Sequence, residues 1–256
     1  MPTARRTDLQ RKEWADRAYI YTYDEPAVGD PKVAQAASAL HWADPGLRNL
    51  VVFHDLSDPN QQPAWWKDID IVCVRNTTAV ESYLTTLRRL GKEIWLYVSG
   101  PTHPYPTLVL DYPALAARIL PWMCWKADAT GLLYWCVNYW TKDPWEDPMN
   151  TKWGQNGNGS IMYPGSDGPV DSIRLEALRD GVEDYEYLYT LKQLVGRASA
   201  NPSLQPLIQR AQRLLAIDPA LIESMRSYAK DPQVLLAQRQ AIAELIVELQ
   251  RTLAGH

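Results

Sequence analysis

Several features that would assign this sequence to a common protein class are scarce or missing. Its 26 Lys and Arg residues face 30 Asp and Glu residues, which gives a formal net charge of -4. No excess of positive charge is available to neutralise a polyphosphate, so we expect no nucleic acid partner. No apolar run approaches the roughly 20 residues that span a bilayer, so we also expect no membrane span.

Motifs of several enzyme classes are missing as well. The chain has no Gly-x-Gly-x-x-Gly, no phosphate-binding loop and no Gly-x-Ser-x-Gly elbow, which argues against nucleotide binding and serine hydrolysis. Cys73, Cys124 and Cys136 lack Cys-x-x-Cys spacing and lie in apolar runs, which predicts buried thiols. His54 and His103 lie far from a second His or Cys, so we predict no metal site and no cofactor.

Phe is nearly absent, whereas Trp and Tyr are abundant. The chain has a single Phe against 11 Trp and 14 Tyr. Trp and Tyr combine a flat apolar face with a polar edge, which suits stacking on sugar rings and hydrogen bonding to hydroxyl groups. Packing in a core is the other use of such residues. The composition therefore fits a carbohydrate-binding protein without requiring one.

Five short runs rich in β-branched or aromatic residues precede residue 140, and segments that favour turns or helices separate them. The predicted strands are residues 18–23, 50–54, 69–74, 94–99 and 131–138, and the predicted helices between them are residues 31–40, 78–91 and 113–122. This alternation favours parallel strands with crossover helices, which is an α/β fold. Because a closed (β/α)8 barrel needs eight strands, we predict a partial TIM-type barrel of about five C-terminal strands.

An all-helical C-terminal tail is predicted after these strands. Residues 150–169 are rich in Gly, Asn and Pro, which predicts a loop. The predicted helices that follow are residues 172–196, 203–216, 219–229 and 232–253. We therefore divide the chain into a barrel part, residues 1–170, and a helical tail that packs on it, residues 171–256.

The helix predicted at residues 172–196 has two notable features. An apolar stripe at three- and four-residue spacing is formed by Leu178, Val182, Tyr185 and Tyr189. A dense set of charges accompanies this stripe, and Gly181 inside the helix indicates close contact with another backbone. We interpret the helix as a structural clamp.

Two adjacent carboxylates, Asp24 and Glu25, end the first predicted strand. Pro26 favours an extended backbone at Glu25, as expected where a strand enters a loop. Side chains at the carboxyl ends of parallel barrel strands line active sites. Repulsion between neighbouring carboxylates favours a proton on one of them, which a general acid requires. The alternative interpretation is a surface Asp-Glu-Pro that caps a loop.

Polar and aromatic residues recur at the same end of the later strands, which favours a pocket over isolated surface groups. The candidates for substrate binding are Tyr23, His54, Asn76, Tyr97, Trp135, Asn138 and Trp140. Asp24 and Glu25 are the candidate catalytic residues of this pocket.

Four segments together resemble the catalytic domain of glycoside hydrolase family 123. They are YTYDEP at 21–26, GLLYWCVNYW at 131–140, NGSIMYPG at 158–165 and SIRLEALRDGVEDYEYL at 172–188. The resemblance covers about residues 18–195, and its last two segments are long and specific.

The resemblance implies a β-N-acetylgalactosaminidase-like enzyme with a retaining, substrate-assisted mechanism. The sugar's acetamido oxygen attacks the anomeric carbon, so the enzyme supplies no nucleophile. Asp24 would orient and polarise the acetamido group, and Glu25 would protonate the leaving oxygen and then activate water. Trp135, Asn138 and Trp140 would help to form the wall of the sugar site.

The family pattern also bears on partners and location. The front strands of the barrel are not found in this sequence, so we expect a second copy or an additional N-terminal segment to complete the fold. The resemblance implies a secreted or periplasmic location, although the first residues lack the apolar stretch of a secretion signal. Two alternatives to an active glycosidase stay open, a non-catalytic carbohydrate-binding remnant and a purely structural fragment.

Overall fold

The computed structural model describes residues 11–27, 29–54, 67–149 and 155–254. The chain divides into two compact units, residues 1–97 with 129–133 and residues 98–128 with 134–256. The strands are β1 (Tyr19–Asp24), β2 (Arg48–Phe53), β3 (Ile71–Arg75), β4 (Glu93–Val98), β5 (Gly131–Tyr134), β6 (Met162–Gly165), β7 (Gly168–Asp171), β8 (Ile222–Ser224) and β9 (Ser227–Tyr228). The helices are α1 (Pro31–Ala43), α2 (Glu81–Arg89), α3 (Ala114–Lys126), α4 (Ile173–Ala198), α5 (Gln205–Leu215) and α6 (Pro232–Ala254).

The first unit is built on a five-stranded parallel sheet in the order β1-β2-β3-β4-β5. Strands β2 and β3 are buried along almost their whole length, as parallel strands covered on both faces are. Asp30, which lies between β1 and α1, caps the N-terminus of α1 by accepting a hydrogen bond from the Lys32 backbone N–H at 2.9 Å. The five parallel strands form a curled half-barrel, which confirms the predicted partial barrel.

The sheet curls strongly. Contacts between side chains of β1 and β4 across its concave face show this. The ring centroids of Tyr19 and Trp95 lie 4.9 Å apart in an edge-to-face arrangement. In a flat sheet, strands three positions apart would be separated by roughly 14 Å. The concave face is filled by one cluster of buried side chains, Leu50, Val52, Ile71, Cys73 and Tyr97, with Trp95 and Leu133 against it.

Strand β1 lies at one end of the strand order and is more exposed than its neighbours. The side chains of Tyr19, Ile20 and Tyr21 are 40%, 43% and 43% exposed. The closely packed strand β2 on its other side is almost fully buried. Among the described residues, β1 is therefore an open edge of the sheet.

The second unit is mainly helical, with α4 packed against α3, α5 and α6. Its core includes Trp122 from α3, Leu188 from α4 and Leu245 from α6. Gly181 meets α3 closely, because a Cβ atom there would lie 2.4 Å from the Arg118 carbonyl oxygen. The backbone contact that Gly181 indicated in the sequence is confirmed.

Three details of the sequence expectations are wrong. Residues 219–229 form the hairpin β8–β9 rather than a helix, because Leu221, Ile222 and Tyr228 insert into the helical core. The loop predicted at 150–169 contains most of a second hairpin, β6–β7. The fifth strand ends at Tyr134, so the candidates at 135–140 follow it instead of lying on it.

The predicted apolar stripe of α4 is also wrong. Val182 and Tyr189 are 50% and 49% exposed. The buried positions are Arg174, Gly181, Asp184, Leu188, Leu191, Leu194 and Ala198. Two charged residues and a glycine thus occupy three of these seven buried positions, so the packed face does not stand out as an apolar stripe in the sequence.

None of the three cysteines forms a disulfide; Cys73 and Cys124 are buried, and Cys136 is partly buried. Within the described ranges, no helix is both long enough and apolar enough to cross a membrane.

Candidate active site

A β-bulge in β1 determines where the side chain of Asp24 points. The pairing of β1 with β2 shifts by one residue between Tyr21 and Tyr23. Residues three apart in a regular strand point to opposite faces, but the extra residue brings Tyr21 and Asp24 to the same side. The Tyr21 hydroxyl donates a hydrogen bond to Asp24 Oδ1 at 2.7 Å.

Glu25 follows in a left-handed backbone conformation, so the extended conformation expected before Pro26 is wrong. Its amide donates to the Val52 carbonyl at 3.0 Å, which extends the β1–β2 pairing by one residue. Its φ is +44°, in the left-handed region that costs a non-glycine residue about 1 kcal/mol or more. Such strain is concentrated at functional sites, and here it turns the chain sharply before the buried Pro26.

Tyr97 reaches Glu25 from the fourth strand. Its hydroxyl donates to Glu25 Oε1 at 2.5 Å, a second contact between β1 and β4 across the curled sheet. Burial raises the pKa of Tyr97, and the hydrogen bond and negative charge of Glu25 raise it further. The phenol therefore stays protonated at neutral pH and remains a donor to the carboxylate.

Tyr21 has a similar electrostatic environment. Partial burial raises its pKa, and the hydrogen bond to Asp24 and the charges of Asp24 and Glu25 act in the same direction. Each carboxylate thus has one oxygen held by a neutral tyrosine hydroxyl. Within the described residues, the other oxygen of each carboxylate accepts no side-chain hydrogen bond.

The two carboxylates are exposed and are not neutralised by a nearby cation. Asp24 and Glu25 are both exposed side chains. Among the described residues, neither forms an ion pair. Both carboxylates can therefore accept a hydrogen bond from a ligand.

His54 and Arg75 extend the same edge of the sheet. Arg75 Nη1 donates to His54 Nε2 at 2.5 Å, which leaves the proton of a neutral imidazole on Nδ1. The positive charge of Arg75 also acts on Tyr97, whose pKa it lowers in part. Alternation along β3 and β4 directs Cys73, Arg75 and Tyr97 to the concave face.

Two other candidates make contacts with other parts of the fold. The Tyr23 hydroxyl donates to Asp30 Oδ2 at 3.4 Å, so it is directed to the start of α1. Asn76 is buried, with 1% of its surface exposed, and its backbone N–H donates to the Tyr97 carbonyl at 3.0 Å. Asn76 thus extends the β3–β4 pairing beyond Arg75.

The remaining candidates belong to the second unit. Trp135 Nε1 donates to Asn158 Oδ1 at 3.2 Å, and its ring lies against Gly159, where a Cβ would come within 2.3 Å of it. Gly159 has a φ of +79°, so glycine is required there for two reasons. Asn138 is exposed and forms an isolated bridge with Ser160.

The loop that contacts Trp135 is held in place by a buried arginine, Arg174. Arg174 donates from Nη1 to the Leu108 carbonyl and, at 3.0 Å, to the Gly157 carbonyl. Its Nη2 donates to the Ser160 carbonyl and, at 3.1 Å, to the Tyr163 hydroxyl. These bonds tie both ends of the segment 157–160 to the start of α4.

Sequence reasoning missed Tyr21 and did not select Arg75. The alternation of Ile71, Cys73 and Arg75 on one face of β3 was a usable signal for the arginine. No signal was available for Tyr21, because a bulge at Thr22 cannot be inferred from the strand pattern. In the part of the chain that the structure describes, no three His, Cys, Asp or Glu side chains converge as a metal site would require.

Residues 3–191 match the model of the family described as "Glycoside hydrolase 123, catalytic domain". The chain belongs to glycoside hydrolase family 123. No curated protein matches its sequence. Both carboxylates, the Trp135 segment and most of α4 lie inside the matched residues of this family 123 chain.

Thirteen chains of solved structures also match. One is a family 123 glycoside hydrolase from Clostridium perfringens, whose structural analysis concerned glycolipid glycan hydrolysis. The alignment covers 98% of this chain and 44% of that chain, with a TM-score of 0.62 and 17% sequence identity. At this identity the likeness shows a shared fold, and the family 123 chain spans less than half the length of that relative.

Proposed function

We propose that this chain carries the acidic pair of a glycosidase that acts on glycans with β-linked N-acetylgalactosamine. The observation that carries the proposal is the pair itself. Two adjacent carboxylates, Asp24 and Glu25, lie at the carboxyl end of a parallel strand, and a tyrosine holds one oxygen of each. Membership of family 123 supports the reaction class.

The proposed reaction is retaining and substrate-assisted. The acetamido oxygen of the sugar attacks the anomeric carbon, and the glycosidic C–O bond breaks as an oxazolinium ring forms. Asp24 accepts a hydrogen bond from the acetamido N–H through Oδ2 and stabilises the positive charge that develops. Glu25 donates its proton through Oε2 to the leaving oxygen and then takes a proton from the water that opens the ring.

Tyr97 has a different role in this proposal from the one that the sequence suggested. Its hydroxyl contacts Glu25 at 2.5 Å, so we assign it as a positioning residue for the acid. His54, Trp135, Asn138 and Trp140 are retained as residues that bind the sugar. For Tyr23 and Asn76, substrate binding stays a prediction, since the described contacts of each are with other parts of the fold.

Replacement of Glu25 tests the proposal. Glu25→Gln removes the proton but keeps the shape, so turnover of an aryl β-N-acetylgalactosaminide should fall by about 10² or more. Glu81→Gln on α2 is the matched control, because its side chain is 73% exposed and its described partners, Thr85 and Arg88, lie on the same helix. An unchanged rate in Glu25→Gln would refute the role of Glu25.

Asp24→Asn separates the substrate-assisted route from other routes. A thiazoline mimic of the bicyclic oxazolinium should inhibit the parent protein and bind at least tenfold more weakly to Asp24→Asn, because the charge that stabilises the ring is lost. Equal inhibition of both proteins would show that Asp24 does not act on the acetamido group.

A second candidate function is glycan binding without turnover. The exposure of Asp24 and Glu25 favours it, because acid catalysis works best in a site that excludes water. The open edge at β1 supports the expectation that further strands or a second copy cover the sheet in an active protein. Saturable N-acetylgalactosamine binding without hydrolysis, lost in Trp135→Ala, would favour this candidate.

A further inference from the structure

Two indole side chains donate hydrogen bonds to the same strand, β6, of the β6–β7 hairpin. Trp140 Nε1 donates to the Met162 carbonyl at 3.2 Å, and Trp145 Nε1 donates to the Pro164 carbonyl at 2.8 Å. The two acceptors are two residues apart, so the indoles follow one another along the edge of β6. The second of them, Trp145, has no role in the proposal above.

Trp145 is highly exposed although it is held in place. It is 59% exposed, while its backbone amide donates to Asp143 Oδ1 at 2.9 Å and its ring N–H is bonded to Pro164. The Tyr163 ring supports it, with centroids 4.9 Å apart and planes inclined by 45°. Tyr163 in turn accepts a hydrogen bond from the buried Arg174. The flat face of Trp145 is therefore immobilised and directed to solvent.

An immobilised, exposed indole face suits a sugar ring. The C–H groups on one side of a pyranose form an apolar patch that packs on an aromatic plane, and a fixed rotamer lowers the entropy lost on binding. The polar edge of the indole is already satisfied by protein, so a ligand that needs a hydrogen-bond donor from Trp145 is disfavoured. The ring face alone remains for contact.

The charges of the same turn restrict the ligand further. Between residues 142 and 147 the chain has one lysine and three acidic residues, Asp143, Glu146 and Asp147. The lysine is already paired, because Lys142 Nζ lies 2.9 Å from Asp147 Oδ2. An anionic ligand would meet net negative charge here, whereas a neutral sugar would not.

We propose that the exposed face of Trp145, supported by Tyr163, is a binding platform for a neutral sugar ring of the glycan. The class of ligand rests on the proposed function, but the platform itself is independent of Asp24 and Glu25. It adds a contact for a longer glycan and selects against sialylated or sulfated rings at this position.

The test uses the full chain with Glu25→Gln, so that no turnover disturbs the titration. The probe is a neutral tetrasaccharide that ends in β-linked N-acetylgalactosamine. Trp145→Ala should weaken its binding about tenfold, measured by calorimetry, because the stacking face is lost. Trp145→Phe keeps a flat face and should remain within about threefold. Trp42→Ala is the matched control, since Trp42 is 89% exposed on α1, and it should bind as tightly as the parent.

A second readout is measured on the chain with Trp145 in place, and the variant Trp145→Phe is needed only to assign one signal. In ¹H–¹⁵N spectra, the indole signal of Trp145, identified by its loss in Trp145→Phe, should shift on addition of the tetrasaccharide. A static signal at saturating tetrasaccharide would overturn the proposal, as would equal affinity of Trp145→Ala and Trp42→Ala.

Two further outcomes separate this inference from the proposed function. If the parent chain hydrolyses an aryl glycoside but shows no tetrasaccharide contact at Trp145, the platform is overturned and the glycosidase proposal stands. A tetrasaccharide that carries a terminal sialic acid should bind at least threefold more weakly than the neutral one. Equal affinity for both would overturn the selection by charge.

Discussion

Acidic side chains lie in opposite environments in two regions of this molecule, buried in one and exposed in the other. Asp184, in the helical unit, is fully buried and accepts hydrogen bonds from Arg118, Arg239 and Trp122 at 2.7 to 3.1 Å. Asp24 and Glu25, at the end of β1, are exposed, and each accepts one hydrogen bond from a tyrosine.

This difference is the one expected between a structural carboxylate and the catalytic carboxylates that we propose. Two guanidinium groups and an indole use both oxygens of Asp184, so neither oxygen is left to contact a ligand. A tyrosine restrains Glu25 without neutralising its charge and leaves one oxygen for a substrate. Mutations should therefore affect folding at Asp184 and chemistry at Glu25.

The largest expected effect is on stability, at Asp184. Asp184→Ala leaves Arg118 and Arg239 without their shared partner, so the free energy of unfolding should fall by about 3–5 kcal/mol in urea titrations. Glu183→Gln, the exposed neighbour on α4, should change it by less than about 0.5 kcal/mol. A loss below 1 kcal/mol in Asp184→Ala would mean that this cluster does not hold α3, α4 and α6 together.

A glycine pair within α4 sharpens the same contrast. A Cβ at Gly181 would lie 2.4 Å from the Arg118 carbonyl oxygen, whereas a Cβ at Gly196 would meet nothing within 4 Å. Gly181→Ala should destabilise the chain by about 1–3 kcal/mol through overpacking. Gly196→Ala should stabilise it by about 0.5–1 kcal/mol, since alanine favours the helix. Melting temperatures that change in the same direction would contradict this packing.

If Glu25 is the general acid, as we propose, Tyr97→Phe should affect rate more than binding. Loss of the hydroxyl frees the Glu25 side chain, so kcat should fall about tenfold while KM changes less than threefold. Tyr189→Phe, on the exposed face of α4, is the matched control and should leave both constants unchanged. A rise in KM with kcat unchanged would return Tyr97 to the substrate-binding role.

The smallest expected effect concerns a third acidic residue, Glu93, at the amino end of β4. Burial acts to raise its pKa, but hydrogen bonds from Thr130 and Trp95, together with Arg48, outweigh burial and hold the pKa below its ordinary value. A lowered pKa stabilises the fold above the unfolded value, about 4.3, and this stability is lost as pH falls through the folded value. Glu93→Gln should cost about 1 kcal/mol at neutral pH and flatten this acid dependence in urea titrations. An unchanged acid dependence would contradict the assignment.

The sheet was largely predictable from the sequence, because its strands are continuous apolar runs with polar residues at their ends. The acidic pair was placed at the end of β1 by the same reasoning. The partner of Asp24 was not predictable, since Tyr21 reaches it only through a bulge whose position depends on pairing with β2. Tyr97 was selected, but its contact with Glu25 depends on the curl of the sheet.

The helical unit was harder to predict, because its packed faces contain polar residues. Arg174 and Asp184 are buried on α4, while Val182 and Tyr189 are half exposed, so the apolar periodicity pointed to the wrong face. Residues 219–229 favour a helix by composition, yet burial of Leu221 and Tyr228 in the core stabilises a hairpin instead. Tertiary packing overrides local propensity in residues 219–229, whereas in α4 it selects a face that apolar periodicity does not mark.

The most direct test of Glu25 as the general acid compares two aryl β-N-acetylgalactosaminides through kcat/KM, which reports the bond-breaking step. Glu25→Gln should lower kcat/KM by about 10² or more for a phenyl leaving group, which needs a proton to depart. For 2,4-dinitrophenyl, which departs without one, the loss should be about tenfold or less. An equal loss for both substrates, or no loss for either, would contradict the role of Glu25.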